Sequence, residues 1–441
     1  MCVVSLLRPM RVITVISGLL ALGACKTTSS LTTGSVSSDP IAVTSLDNPR
    51  VLAAEERRRA AESDVLAAGS SLLPTVTLNA QATHFENDES ASRARDDETS
   101  VGVAVDLPIF TGLRNINRVN GARARLNAET EAVRGVGNAQ IVATVEAIVA
   151  AERSEVVLNA RRDQLRNLRA FLSDQQSRER VGEASITDVE QVRGRIARVK
   201  SDEARAKSEA IRARANLRAV RSELVTETLE PLDVTPLLPA TSNEAVAVAL
   251  AENPSVIEAD WREKAAEKDV QVAQGEFLPE VSVSFNVDDT DTYFKDNSRS
   301  SEQDMNVRLD VSVPLFTGGL RVAQVQSRRA ALREQQFDGE TVRRDVTAGT
   351  EAAFARMEAA EEAIGFSRNR LAQAKKVLSG VAEAKRIGAR TTEDVLAAQS
   401  ELTEATIALA EARYEKIVAG HELLAQMGRL TQAYGILNVI P

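Results

Sequence analysis

Side chains that commonly make and break bonds are scarce in this sequence. Its 441 residues contain two histidines, His84 and His421, and two cysteines, Cys2 and Cys25. The histidines lie in unrelated halves of the chain, and no metal cluster or nucleophile constellation forms around them. Carboxylates are abundant, as they are on any charged helix. The residues therefore point away from an enzyme and away from any cofactor. The formal net charge is -9, with acidic and basic residues interleaved throughout. No concentrated basic face results, which excludes nucleic acid as a partner. The polar groups that remain notable sit in two short runs, VGEASITDV at 181–189 and IGARTTEDV at 387–395. Each places glycine, hydroxyl and carboxylate side chains within a few residues, a set suited to a turn and to charge-assisted hydrogen bonds.

Those two runs belong to a larger internal repeat. Leu73-Pro74 recurs as Leu278-Pro279, and LPIFTG at 107–112 recurs as VPLFTG at 313–318, with offsets of 205 or 206 residues throughout. Each half reads as a short helix, a strand, a polar loop, a strand, a very long helix, a turn and a helix. Val76, Leu78, Ala80 and Ala82 alternate with polar residues, as do Val101, Val103, Val105 and Leu107. The second half repeats the pattern with Val281, Val283, Phe285 and Val287, and with Val307, Leu309, Val311 and Val313. One apolar and one polar face per strand, in segments of about ten residues separated by polar loops such as 86–98, suit a barrel between lipid and a wet lumen. Four strands cannot close such a barrel, because the smallest use about eight. The barrel must be shared between chains, since open edges cannot face hydrocarbon. Three chains giving twelve strands is the natural closure, and two or four are also compatible with the sequence.

The helices supply the second part of the architecture. No proline occurs between Pro108 and Pro231, or between Pro314 and Pro441, which leaves room for helices far longer than the globular average. Residues 113–181 would extend roughly 100 Å at about 1.5 Å per residue. The shorter helices 49–73 and 187–229 stack end to end to match that length, and 255–278 with 393–430 do the same beside 319–386. Leu158, Leu165, Leu168 and Leu172 form one heptad stripe, and Val395, Ala398, Leu402, Ala405, Leu409 and Ala412 form another, as helices packed side by side require. The residues alone thus give an α+β membrane protein in which four strands per chain belong to a shared β-barrel and the helices form long coiled-coil hairpins packed side by side as a wall.

At the N-terminus, Arg8 and Arg11 precede an apolar run from Val12 to Leu22 and then Gly23-Ala24-Cys25. This is the layout of an export signal whose core is too short to span a bilayer. Leu22-Gly23-Ala24-Cys25 resembles the lipobox of bacterial lipoproteins, which makes Cys25 the lipidated first residue of the mature chain; translation starts at Met1 or at Met10. The domain reading is a signal peptide at 1–24, a lipidated N-terminus and tether at 25–47, a first repeat at 48–229, a proline-rich connector at 230–241 and a second repeat at 242–441.

The runs VPLFTGGLRVAQVQ at 313–326, RIGARTTEDVLAAQSEL at 386–402 and LAEARYEKIVAGHELLAQMGRLT at 409–431 resemble those of TolC-like outer-membrane efflux and secretion proteins. The resemblance covers about residues 48–435. It implies a homotrimer in outer-membrane lipid, a trimeric twelve-stranded β-barrel continued by a long α-helical barrel of coiled-coil hairpins in the periplasm, acting as the passive exit duct of a tripartite efflux pump or type I secretion system. It also implies that a periplasmic adaptor and an inner-membrane pump dock at the turns, here Gly182 and Ser185 with Gly388 and Thr391. By position, Arg390 is the arginine that ties the inner helix pair down, Thr187 and Asp188 are its polar partners, and Asp394 forms a constriction ring. Two positions depart from the pattern: Lys385 stands where a gate tyrosine is expected, and Ala397 where a second ring aspartate is expected. The competing reading, a periplasmic coiled-coil adaptor or structural protein, would show one helical hairpin beside separate β domains. The cargo and the identity of the pump and adaptor are not encoded in these features.

Overall fold

The structure, a computed structural model, describes residues 40–86, 95–220, 230–294, 296 and 298–435. Cys25, and with it the expected signal and lipidated end, lies outside the described residues. The elements in chain order are α1 (Pro40–Leu46), α2 (Pro49–Ser70), β1 (Thr75–His84), β2 (Arg95–Thr111), α3 (Arg114–Arg180), α4 (Ile186–Val220), α5 (Ser242–Glu252), α6 (Pro254–Gly275), β3 (Glu280–Phe294), β4 (Arg299–Ser312), α7 (Leu320–Arg386), α8 (Thr392–Gln426) and α9 (Leu430–Ala433).

The four strands form one antiparallel sheet in the order β1-β2-β3-β4. Residues directly opposite one another share a face. One row therefore runs Val76, Val105, Phe285, Val307, and the next runs Leu78, Val103, Val287, Met305. Between them lie Thr77, Ala104, Asn286 and Asn306. In the single chain the outer-strand members of these rows are exposed, Leu78 at 70% and Met305 at 69%, while Val103, Val105, Phe285 and Val287 on the inner strands are half-buried. β1 and β4 are the sheet's two outer strands, each paired on one side only. The strands run farther than the alternation implied. β2 begins at Arg95, inside the stretch expected to be loop, and β3 continues to Phe294. Backbone pairing needs no apolar side chain, so polar residues extend the hairpins past the apolar band. β2 also passes through Pro108 with a register shift between Pro108 and Phe110, a bulge being where a strand tolerates a residue without an N–H. The matching run in the second half, from Val313, leaves the sheet; β4 is an outer strand with no partner to extend it.

α3 and α7 each run 67 residues, roughly 100 Å. Near the sheet the helices lie side by side as α2, α3, α6 and α7; near the far end the order is α4, α3, α8 and α7. The 22-residue α6 and the 35-residue α8 thus stack to cover nearly the length of α7. Most of the expected stripes are buried, with Leu158, Leu165 and Leu168 on α3 and Val395, Ala398, Ala405 and Leu409 on α8, while Leu172, Leu402 and Ala412 are half-buried.

The stack is joined by Asn253. Its Oδ1 accepts from Ser255 N at 2.8 Å and caps α6, while its Nδ2 donates to the Gln426 carbonyl at 2.7 Å at the end of α8. Arg429 adds two bonds to Glu252 at 2.5 and 2.7 Å. Gly428, at φ +75, makes the break between them, and a Cβ there would overlap the Glu252 carbonyl. At this height the main apolar cluster forms around Ile41, Ile141, Val145, Leu423, Leu424 and Leu430. Residues 40–46, expected as the end of a tether, are instead a helix in that cluster. Ile41 and Ala42 are fully buried and Ser45 Oγ lies 3.5 Å from Thr144 Oγ1, so an apolar pair overrides the Ser/Thr-rich composition.

The paired tips as a candidate functional site

Both long helices stop at a glycine in the left-handed region, Gly182 at φ +82 and Gly388 at φ +79. Glycine adopts this conformation without the penalty of a Cβ. The chain then closes on the last turn, with Glu183 N donating to the Arg178 carbonyl and Ala389 N to the Ala384 carbonyl, each at 2.8 Å. This reversal leaves orphan carbonyls satisfied and starts the return helix at once. The return helices open with matching capping boxes. Ser185 Oγ accepts from Asp188 N at 3.1 Å while Asp188 Oδ2 accepts from Ser185 N at 3.1 Å. Thr391 Oγ1 accepts from Asp394 N at 3.2 Å while Asp394 Oδ2 accepts from Thr391 N at 2.9 Å. The recurring hydroxyl-x-x-Asp spacing in the two runs thus has a local cause.

The two tips differ in what their aspartates do next. Asp188 Oδ1 accepts a hydrogen bond from Thr392 Oγ1, and Thr392 Oγ1 accepts one from Lys385 Nζ. A continuous relay therefore runs from an ammonium on α7, through a hydroxyl on α8, to a carboxylate on α4. Thr392 is buried, at 1% exposure. Lys385 Nζ also sits 5.8 Å from the centre of the Phe171 ring on α3, within cation–π range. The Thr392 and Ser185 hydroxyls hold Asp188 below the usual carboxylate range, with a smaller contribution from Lys385. Burial pushes Lys385 down, and Asp188 pulls it back up. Asp394 is also held low, by the Thr391 backbone N–H first and its hydroxyl second, but it is only half-buried and, among the described residues, meets none of the first hairpin.

Of the residues singled out in the sequence, the structure brings Asp188 and Lys385 together through Thr392. Arg390 lies elsewhere, in the turn before α8 and 4.0 Å from Asp394 of the same hairpin, and Thr187 is exposed. Within one chain, Asp188 is thus met by the Lys385–Thr392 pair and not by Arg390. Thr392 itself was not singled out. Its signal was the place where the repeats diverge, since the matching position in the first run is Ile186, which is 70% exposed. Farther up, Arg195–Glu393 at 2.9 Å and Arg161–Glu404 at 2.7 Å also link the first hairpin to α8, over an apolar cluster of Leu165, Leu168, Val192, Ile196 and Leu396.

The chain thus joins a four-stranded sheet with one apolar face to two long helical hairpins that are tied together at their tips. The profile of the family described as outer membrane efflux protein matches residues 44–221 and 245–429, most of the chain. The chain belongs to that family. Outer membrane efflux protein BepC of Brucella suis biovar 1 is 26% identical over 333 residues, spanning 75% of this chain and 72% of BepC. Outer membrane protein TolC of Salmonella enteritidis is 24% identical over 402 residues, spanning 88% of this chain and 80% of TolC. The solved structure of CusC superimposes with a TM-score of 0.77 at 18% identity, covering 88% of this chain and 91% of that one, a likeness of fold. This efflux-family chain is therefore an outer-membrane efflux or secretion channel. Its family and fold are those of channel proteins and not of enzymes.

Proposed function

We propose that three copies of this chain close one barrel of twelve strands and one tunnel of helices, and that the Lys385–Thr392–Asp188 relay holds the far end of the tunnel shut. The observation that carries the reading is the sheet. It has one apolar face and two outer strands whose free edges cannot remain open in hydrocarbon, where each unpaired backbone group costs several kcal/mol. β1 and β4 run antiparallel, as an alternating barrel requires of strands that meet between copies. The helical wall supports the same assembly, because its flanks leave Leu66 on α2 and Phe337 on α7 about 70% exposed, at 73% and 71%, for a neighbouring copy to cover.

At the tips, Arg390 and Thr187 are exposed and available to the next copy, and Asp394 adds negative charge to the constriction. The turns at Gly182, Ser185, Gly388 and Thr391, flanked by exposed Val181, Ile186 and Ile387, form the surface that a periplasmic adaptor and an inner-membrane pump would engage. The duct itself is passive and takes its cargo from that pump. Cys25 carries lipid that supplements an insertion already secured by the barrel. Purified protein added to a planar bilayer tests the channel: it should give discrete conductance steps with no energy source. A protein that binds the bilayer without conducting would instead fit a coiled-coil adaptor.

A further inference from the structure

His421 lies on α8 at the height where α8 and α6 meet, and its ring is fully buried. Nδ1 is 2.7 Å from the Ile417 carbonyl, and Nε2 is 2.8 Å from the Tyr434 hydroxyl. A carbonyl only accepts, so Nδ1 carries the hydrogen and Nε2 is the bare acceptor. The Tyr434 O–H must then donate to Nε2, and its oxygen accepts from Leu232 N at 3.3 Å. Three segments meet through this ring and the Tyr434 hydroxyl: α8, the turn that follows α9, and the connector 230–241, which lies on the helices as a strap. Val234 of the strap is buried against Gly420, whose Cβ position it nearly fills.

We infer that His421 is a proton-sensitive latch, which fastens the strap and the C-terminal turn to the helical wall while neutral and releases them when it gains a proton. Protonation replaces the acceptor at Nε2 with a second donor facing the tyrosine, and it places a charge inside an apolar cluster. Among the described residues, no neighbouring charge compensates. The carboxylates on α3, Glu146 and Glu152, are themselves pushed toward the neutral form by burial. On the strap, Asp233 is bound to Thr235 N; on α5, Glu244 accepts from Ala240 N. Arg356 of α7 pairs with Glu415 and Glu422 of α8, Lys416 pairs with Glu361, and Arg429 pairs with Glu252. Burial accordingly sets the direction and pushes His421 below its ordinary 6.5, with the Ile417 carbonyl opposing. A lowered value in the latched form means that the latch is at full strength above about 6.5 and weakens as pH falls below it.

Hydrogen exchange on the full-length protein in detergent tests the inference. Between pH 7.5 and 5.5, protection of the 230–241 amides, Leu232 included, should fall measurably after correction for intrinsic exchange, with an upper limit of about tenfold set by a released histidine at its ordinary 6.5. His421→Gln, which keeps an acceptor but cannot be charged, should remove that pH dependence. Equal pH dependence in His421→Gln, or none in the unaltered protein, would overturn the latch. Because the chain has only two histidines, ¹³C-histidine labelling gives a second readout without altering His421. With His84→Asn to assign the spectrum, a His421 resonance titrating at or above 6.5 would also overturn it.

Discussion

Replacing Thr392 with valine removes one hydroxyl and keeps the shape, so it isolates the relay at the tips. Two charge-assisted bonds are lost, one from Lys385 and one to Asp188. Fully buried, such bonds would be worth about 1.5–3 kcal/mol each. Lys385 and Asp188 are only partly buried, so solvent takes up much of the loss, and about 1 kcal/mol per chain is the appropriate scale. Across three copies this is about 3 kcal/mol, or roughly 100-fold in the balance between closed and open forms. A duct that starts near 99:1 closed would move to near parity. Going on to 1:99 would need about 5.5 kcal/mol in total. Arg390→Ala removes only an exposed contact within one chain, worth about 0.2–1 kcal/mol, and whatever Arg390 contributes between copies. Single-channel recordings in planar bilayers should therefore show much longer open times for Thr392→Val than for Arg390→Ala. Unchanged gating in Thr392→Val beside a strongly opened Arg390→Ala would refute the relay and return the gate to Arg390.

Other consequences can be read with similar tools. Asp188 is held below 3.8 by partners that need it charged; the tie is therefore present above about that value and lost as pH falls through the lower one, so tip gating should be flat from pH 5 to 8 in the same recordings. Asp394→Ala should lower cation selectivity, measured as reversal potential in a salt gradient, and should cost about 1 kcal/mol through its capping box. Gly428→Ala forces a side chain into the left-handed region against the Glu252 carbonyl; a loss of at least about 1–3 kcal/mol should appear as a lower unfolding midpoint in detergent.

Much of this architecture was legible in the sequence because it follows from periodicity. A two-residue alternation must present one apolar face, so the rows through Phe285 and Val287 were readable, whereas the strand ends were not, since pairing at Arg95 or Phe294 rests on backbone bonds alone. The helix lengths followed from the spacing of prolines. The join between stacked helices was also written in the sequence, as Asn48-Pro49 and Asn253-Pro254 at the repeat offset, but its meaning needed coordinates, because Asn253 caps one helix and binds the end of another. At the tips the repeat located both turns and both aspartates. It did not show that Asp188 would be met by Lys385 through Thr392, since that contact joins two hairpins more than 200 residues apart in the chain and leaves no local pattern. His421, unremarkable as a lone histidine, likewise acquires significance only through the Tyr434 and Leu232 that tertiary packing brings to it.

The account stands on the claim that one chain supplies a third of a closed barrel. Native mass measurement of the protein extracted in mild detergent tests this most directly. The predicted result is a single species of three chains, and a stable folded monomer, or a dimer as the largest assembly, would contradict it.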